Sequence, residues 1–360
     1  MAGLLVLLVL SSLLDPAPLD LNAASVSDLE RLPGIGESKA AAIVEHRRAF
    51  GPFLEMTDLL DVPGIGEATL ATLEGLVTVV PSPGISALSD TTHWLSEGGL
   101  ADTLLTVAFL DVGQGDAILL AAEGGQTWLV DGGPDEGGPV LPAVVLRLME
   151  AGFASLDIVA LSHPHEDHIG GLDDVIGMFS PRKLLDPGLD FYSPVYEQLL
   201  RVALERGLEY ELLCHRDTFE LSDSVELVVM TASGRSGAAG LDANELGAVM
   251  LVSCGRASLL LTGDVGEAAE RLIFEDMGPV TVLKVPHHGS VGSLFAPFFR
   301  RLRPQYSIIS VGRDNPFGHP HPDVVGLLEQ LSSTVLRTDR AGTIFVRTDG
   351  SRIEITTSEM

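Results

Sequence analysis

The chain has 360 residues, 46% of them hydrophobic, and its 50 acidic side chains against 22 basic ones give a formal net charge of −28 at pH 7. That length leaves room for two domains, and the apolar fraction supports a sizeable core and excludes general disorder. The acidity excludes a protein that coats nucleic acid through bulk positive charge, but not a local site where divalent ions supply that charge.

Residues Met1 to Leu14 form an almost unbroken apolar run, followed by Asp15-Pro16-Ala17-Pro18. The run is short for a membrane span and has no Lys or Arg before it. Two expectations stay open: the apolar part of a signal peptide or a short anchor, and a buried N-terminal helix. The first puts the protein outside the cytoplasm, whether secreted, periplasmic or anchored at the membrane.

An internal repeat follows. Leu32-Pro33-Gly34-Ile35-Gly36-Glu37 recurs as Val62-Pro63-Gly64-Ile65-Gly66-Glu67, each copy between two helical patterns, with Asn22 and Ser27 as candidate caps ahead of the first. A P-G-I-G turn allows close backbone approach, and the N–H groups opening the next helix can hold a phosphate. Residues 19–80 resemble the tandem helix-hairpin-helix DNA-binding domain of ComEA-type competence proteins. The resemblance implies backbone contacts to DNA, without sequence reading, at Gly34, Gly36, Gly64 and Gly66, assisted by Lys39, Arg47 and Arg48. The segment is itself acidic, so a structural or protein-binding hairpin module is the competing expectation.

Val80 to Ala101 carries Pro81, Pro83, Gly84, Gly98 and Gly99 among Ser and Thr and reads as a linker. The expected organisation is a signal-like or anchor segment over 1–18, an all-α domain over 19–80, a linker over 81–101 and a second domain over 102–360.

In that second domain, strands are expected over Leu104–Leu110, Ala117–Ala121, Thr127–Val130 and Leu156–Leu161, with a helix over Pro139–Ala151. Further on, helices near Val195–Arg206, Glu267–Met277 and Pro322–Leu331 alternate with strands near Ser224–Met230, Ala248–Ser253, Ser258–Leu261, Thr281–Val285 and Tyr306–Ser310 and a final group over Val335–Ile355. Alternation of this kind suggests two packed sheets with helices outside. Cys214 and Cys254 make no metal-type C-x-x-C spacing, and either a disulfide or two free thiols remains open.

The densest signal is Ser162 to Leu172, S-H-P-H-E-D-H-I-G-G-L. His163, His165, Asp167 and His168 fall within six residues after an apolar strand, and imidazole with carboxylate suits Zn²⁺ or, with more oxygen, Mn²⁺. Distant strand ends supply the rest: L-T-G-D ending at Asp264, suited to bridging two ions, K-V-P-H-H-G-S with His287 and His288, and G-H-P-H-P with His319 and His321. With F-L-D-V-G-Q-G-D and L-V-D-G-G, these motifs resemble, in order, the metallo-β-lactamase domain of ComEC-type competence proteins, without that family's multi-helix membrane region.

The resemblance implies an α+β chain: a metallo-β-lactamase αββα sandwich preceded by a small all-α tandem helix-hairpin-helix domain. It implies two divalent metal ions, Zn or Mn, held by His163, His165, Asp167, His168, Asp264, His288 and His319. Asp131 is expected to stand behind a ligand histidine and orient it. Many members of the wider superfamily supply a third histidine to the first ion between the H-x-H-x-D-H and Asp motifs, an interval that here offers only His215 and the Asn244-Glu245 turn. The expectation is therefore that His288 fills the first site and His319 completes the second, with His287 facing the phosphate. The alternative puts His287 on a metal and Asn244 in the first site. Asp167, Asp264 and His287 are the catalytic candidates, and Lys284 and Arg313 are lesser candidates for phosphate contact. The function expected is a two-metal phosphodiesterase or nuclease acting on DNA in competence-type uptake, with the membrane uptake machinery as a further partner. Two alternatives stand beside it: a metallo-hydrolase of another phosphodiester or small molecule, and a non-catalytic DNA-binding protein.

Overall fold

A computed structural model describes residues 18–22, 24–50, 53, 56–73, 75–79, 102–135, 141–153, 155–230 and 240–359. The apolar run 1–14 and the linker 81–101 lie outside them. The chain divides into two compact units, each taken by itself below.

In the first unit, short parallel strands β1 (Leu19–Asp20) and β2 (Val77–Thr78) bracket the helices Val26–Leu29, Glu37–Phe50 and Glu67–Leu73 and a 3-10 turn at Met56–Asp61. Each P-G-I-G turn works by division of labour. Gly34 and Gly64 take φ of +82° and +87°, left-handed values that cost other residues roughly 1–2 kcal/mol. Ile35 and Ile65 pin the turns into a core with Leu29, Ile43, Phe53, Leu59 and Leu73. The cap of the first helix is Ser25, in a capping box with Asp28, rather than Asn22 or Ser27. Asn22 instead pairs with the Phe53 backbone in both directions, at 3.0 and 2.9 Å.

The second unit is an αββα sandwich. One eight-stranded sheet runs β17-β16-β3-β4-β5-β6-β7-β8 and one seven-stranded sheet runs β15-β14-β13-β12-β11-β10-β9. In sequence these are β3 (Leu105–Phe109), β4 (Ile118–Ala122), β5 (Thr127–Val130), β6 (Ile158–Ala160), β7 (Lys183–Asp186), β8 (Glu209–Leu212), β9 (Thr218–Ser222), β10 (Val225–Val229), β11 (Met250–Cys254), β12 (Ala257–Leu261), β13 (Val282–Lys284), β14 (Tyr306–Ile309), β15 (Thr334–Arg337), β16 (Ile344–Thr348) and β17 (Ile353–Thr357). Successive side chains alternate faces. Leu105, Val107 and Phe109 therefore enter the core between the sheets, while Ala108 and Leu110 meet the outer helices. Burial on both faces explains why these strands read as continuous apolar runs.

Helices Ala143–Glu150, Leu172–Phe179 and Pro194–Glu205 cover the first sheet, and Glu267–Ile273, Ala296–Leu302 and Pro322–Gln330 cover the second. The short buried strand β7, the polar strands β8 and β9 and the helix Ala296–Leu302 are absent from the elements expected from sequence. Strands β5 to β8 run parallel, as do β12 to β15, so the loops leaving their carboxyl ends gather at one edge of each sheet. Among the described residues no helix is long and apolar enough to cross a membrane. Cys214 and Cys254 are free, the first exposed and the second buried.

Candidate metal centre

Five strand ends build the centre. β5 leads to Asp131, β6 to Ser162–His168, β12 to Asp264, β13 to His287 and His288, and β14 to Ser310. Asp167, His168, Asp264 and His288 each offer one ligand atom within 4.8 Å of the others, and the last three are buried. His168 Nε2 lies 3.3 Å from Asp264 Oδ1 and 3.9 Å from Asp167 Oδ2; His288 Nε2 lies 3.4 Å from a carboxylate oxygen of each.

The far side of each ring fixes its tautomer. His168 Nδ1 donates to Asp131 Oδ2 at 2.9 Å, and His288 Nδ1 donates to the Ser310 carbonyl at 2.9 Å. Both Nε2 atoms are thereby aimed, lone pair first, at carboxylates, and buried Nε2 of His168 and His288 and Oδ1 of Asp264 have no hydrogen-bond partner. Such a set is satisfied only when a proton or a cation sits between the groups, and its nitrogen and oxygen donors fit a divalent ion. Protonation carries the signature of that need. Burial opposes charge on His288, but Asp264 and Asp167 overcome it and raise its pKa to about 9. Burial likewise opposes charge on His168, while Asp264 and Asp131 hold its pKa well above the usual imidazole value. For Asp264, burial favours the neutral acid, yet His288 and His168 keep it ionised, its pKa far below the carboxylate range.

Beside this group, His163 Nε2 and His165 Nδ1 face each other at 3.1 Å. Burial, then the neighbouring His168, pushes the His163 pKa well down, and its Nδ1 meets Ser162 Oγ at 3.0 Å. Asp131 also accepts from Ser162 N and Oγ, at 2.7 and 2.6 Å, so one carboxylate holds the base of both histidine sets. His287 stands on the open side, Nε2 3.7 Å from Asp264 Oδ2 with its side chain 32% exposed; burial, despite Asp264, lowers its pKa. His319 lies 6.0 Å from His287 and 6.4 Å from His288, ring to ring. Asn315 clamps its backbone, accepting from His319 N at 3.0 Å and donating to His319 O at 2.8 Å.

Several expected assignments change. His288 joins Asp167 and His168 rather than the His163–His165 pair, because His287 and His288 both sit in the left-handed region, at φ 47° and 54°. This double turn swings His288 inward and leaves His287 outward. His321 accepts from Asp323 N at 3.2 Å and caps the helix Pro322–Gln330. Glu245, beside Asn244, accepts from Ala269 N at 2.6 Å and so caps another helix. Lys284 is neither solvated nor open to phosphate: fully buried, its ammonium is ion-paired with Asp116 and donates to the Gly263 carbonyl at 3.1 Å. Arg313 is exposed and pairs with Glu359.

Asp116 is the residue that sequence reasoning missed. Buried with Lys284, it lies 3.8 Å from Nδ1 of both His168 and His288. Two signals could have found it: an Asp closing F-L-D-V-G-Q-G-D, and a lone Lys on an otherwise apolar strand, which needs a buried counter-charge. The glycine before it is obligatory, since a Cβ at Gly115 would collide with the Asp167 carbonyl.

In the first unit Gly34, Gly36, Gly64 and Gly66 are all exposed. Lys39 Nζ donates to the Gly34 carbonyl at 3.0 Å and to Thr69 Oγ1 at 3.2 Å, tying the first hairpin to the second. Arg47 is 1% exposed and donates to the Leu21 carbonyl at 2.7 Å, a core bond that removes it from any phosphate surface.

Residues 110–313 match the metallo-beta-lactamase superfamily, and residues 17–78 match the helix-hairpin-helix motif. ComE operon protein 3 of Bacillus subtilis is 30% identical over 257 residues, 67% of this chain and 33% of that protein. ComE operon protein 1 of Bacillus subtilis is 35% identical over 63 residues, 18% of this chain and 31% of that protein. The chain thus spans about a third of the length of these relatives. A mutant of the CmlA beta-hydroxylase shares the fold, at 13% identity and a TM-score of 0.51 over 85% of this chain and 62% of its own.

Proposed function

Since the chain belongs to the metallo-beta-lactamase superfamily, we propose that it is a two-metal phosphodiesterase that cuts DNA. The observation that carries this reading is the convergence of Asp167 with buried His168, Asp264 and His288 beside the facing pair His163 and His165, in one chain with a helix-hairpin-helix motif.

Asp167, His168, Asp264 and His288 would hold one ion, and His163, His165 and the shared Asp264 another. Bound there, divalent ions would supply Lewis-acid activation of water and neutralise phosphoryl charge. Asp131 keeps His168 Nδ1 protonated, so that its Nε2 stays free to bind. His287, neutral and partly exposed, is placed to hold a phosphoryl oxygen or take up a proton on the open side. Gly34, Gly36, Gly64 and Gly66 leave backbone N–H groups at two helix starts, where phosphates bind without sequence reading, and that grip would raise the local concentration of DNA at the centre. The apolar run at residues 1–14 supports action outside the cytoplasm, and the likeness to two ComE operon proteins supports a place in DNA uptake alongside membrane machinery.

The test is cleavage of labelled single- and double-stranded DNA with Mn²⁺, Zn²⁺ or chelator, beside Asp167→Ala. Metal-dependent cutting that the variant loses is expected. Bound metal without any cutting would overturn the reading in favour of a different phosphodiester, which the acidity of residues 19–80 would then suit.

A further inference from the structure

Ring-to-ring contacts of 4.1 to 6.4 Å run from Phe191 through His165, His163, His168, His288 and His319 to Phe317. The arc of candidate ligands thus ends in a phenylalanine on each side. Phe191 meets His165 edge-on at 5.0 Å, in the loop that follows β7. Phe317 lies nearly parallel to His319 at 5.8 Å, with an interplanar angle of 26°. It is 66% exposed, the only exposed phenylalanine among the described residues.

Its exposure is built in, because the Asn315 amide ties the loop to Gly312 O and to the His319 backbone. A phenyl face fixed in water beside a polar centre forgoes the favourable burial of its apolar surface. That arrangement makes chemical sense if a flat apolar group covers the ring during function.

We propose that Phe317 and Phe191 are base-stacking ledges, each receiving an unpaired nucleobase on one side of the phosphate held at the centre, so that the substrate is single-stranded DNA. This rests on the phosphodiesterase reading and deepens it. Every base has a π-face, so stacking is sequence-tolerant. Bases inside a duplex are already stacked and cannot reach a side ledge without being unpaired.

The experiment compares the full chain, with Mn²⁺, on a thymidine oligonucleotide, its duplex, and an oligonucleotide of the same length whose scissile region is abasic. Phe317→Ala should lower kcat/KM on the thymidine strand by roughly 5- to 150-fold, the worth of one stacked base, mostly through KM. It should leave abasic cutting unchanged and narrow the preference for single strands. Phe317→Trp should retain wild-type cutting, whereas Phe317→Leu should not. Phe191→Ala should act in the same direction, and Phe317 is exposed enough that its variants leave the fold intact. Equal loss on thymidine and abasic strands, or none on either, would overturn the ledges while leaving the phosphodiesterase standing. Failure of the wild-type chain to cut any of the three would overturn both.

Discussion

The candidate metal centre and the double hairpin, both of which we propose to meet phosphate, are built by opposite means. The centre collects side chains: carboxylates and buried imidazoles, with His168 and His288 held from behind by Asp131 and the Ser310 carbonyl. The hairpins dispense with side chains, since Gly34 and Gly64 open the turns and the neighbouring isoleucines do the anchoring. A site made of converging charges fails when one charge is removed; a site made of exposed backbone fails when something is added. The two units should therefore break under different substitutions.

The largest effect is expected at Asp264. Asp264→Asn removes the carboxylate shared by His168 and His288 and should abolish both metal retention and cleavage. The loss should far exceed the roughly 10- to 100-fold that an outer-shell group costs, as measured by metal analysis and turnover.

Next comes a carboxyl group buried outside the centre. Glu270 is fully buried and accepts from Phe295 N at 2.7 Å; burial, with Glu245 and Glu267 nearby, raises its pKa from 4.5 to about 8. The folded state keeps this proton where the unfolded chain has lost it, so stability falls as pH rises from 4.5 to about 8 and levels off above. The loss is on the order of 5 kcal/mol at most. Glu270→Gln should flatten the melting temperature across that window and raise it at pH 8. An unchanged slope would show that other groups set it.

Asp131→Ala should cost about 10- to 100-fold in metal affinity through loss of ring orientation, read by competition with a chelating dye. In the hairpins, Gly34→Ala and Gly64→Ala should each destabilise their own unit by roughly 1–2 kcal/mol and weaken DNA binding, with metal content unchanged. Smallest is Lys39→Met, which removes the tie from Gly34 O to Thr69 Oγ1. It should lower DNA affinity several-fold while changing its salt dependence little, because a lysine engaged by the protein contributes few released counterions. A full unit lost from the salt slope would make Lys39 a phosphate contact instead.

The same contrast governs what could be read in the sequence. Local patterns were legible: H-P-H-E-D-H needs only six residues, and P-G-I-G repeats itself. The apolar strands could be placed because burial on both faces leaves a continuous run. Strands β8 and β9 escaped because E-Y-E-L and T-F-E-L-S carry charges on a largely exposed edge. The division of histidines among sites escaped because it depends on left-handed backbone at two consecutive residues, His287 and His288, a conformation uncommon outside glycine that no local pattern announces. Lys284 with Asp116 escaped for a further reason: Lys284 ends β13 of the seven-stranded sheet while Asp116 sits in the loop ahead of β4 in the other sheet, and only tertiary structure reveals the pairing.

The centre draws Asp167 and His168 from the eight-stranded sheet and Asp264 and His288 from the seven-stranded one, and this has a consequence for synthesis. A ribosome delivers the histidine-rich loop long before the strand that carries Asp264. A nascent chain that has not yet released His288 lacks the full set, so an early ion would find only part of the candidate site. Tight loading there would therefore mark the moment when both halves of the sandwich have been made and docked, and an ion so captured would be a certificate of completed assembly.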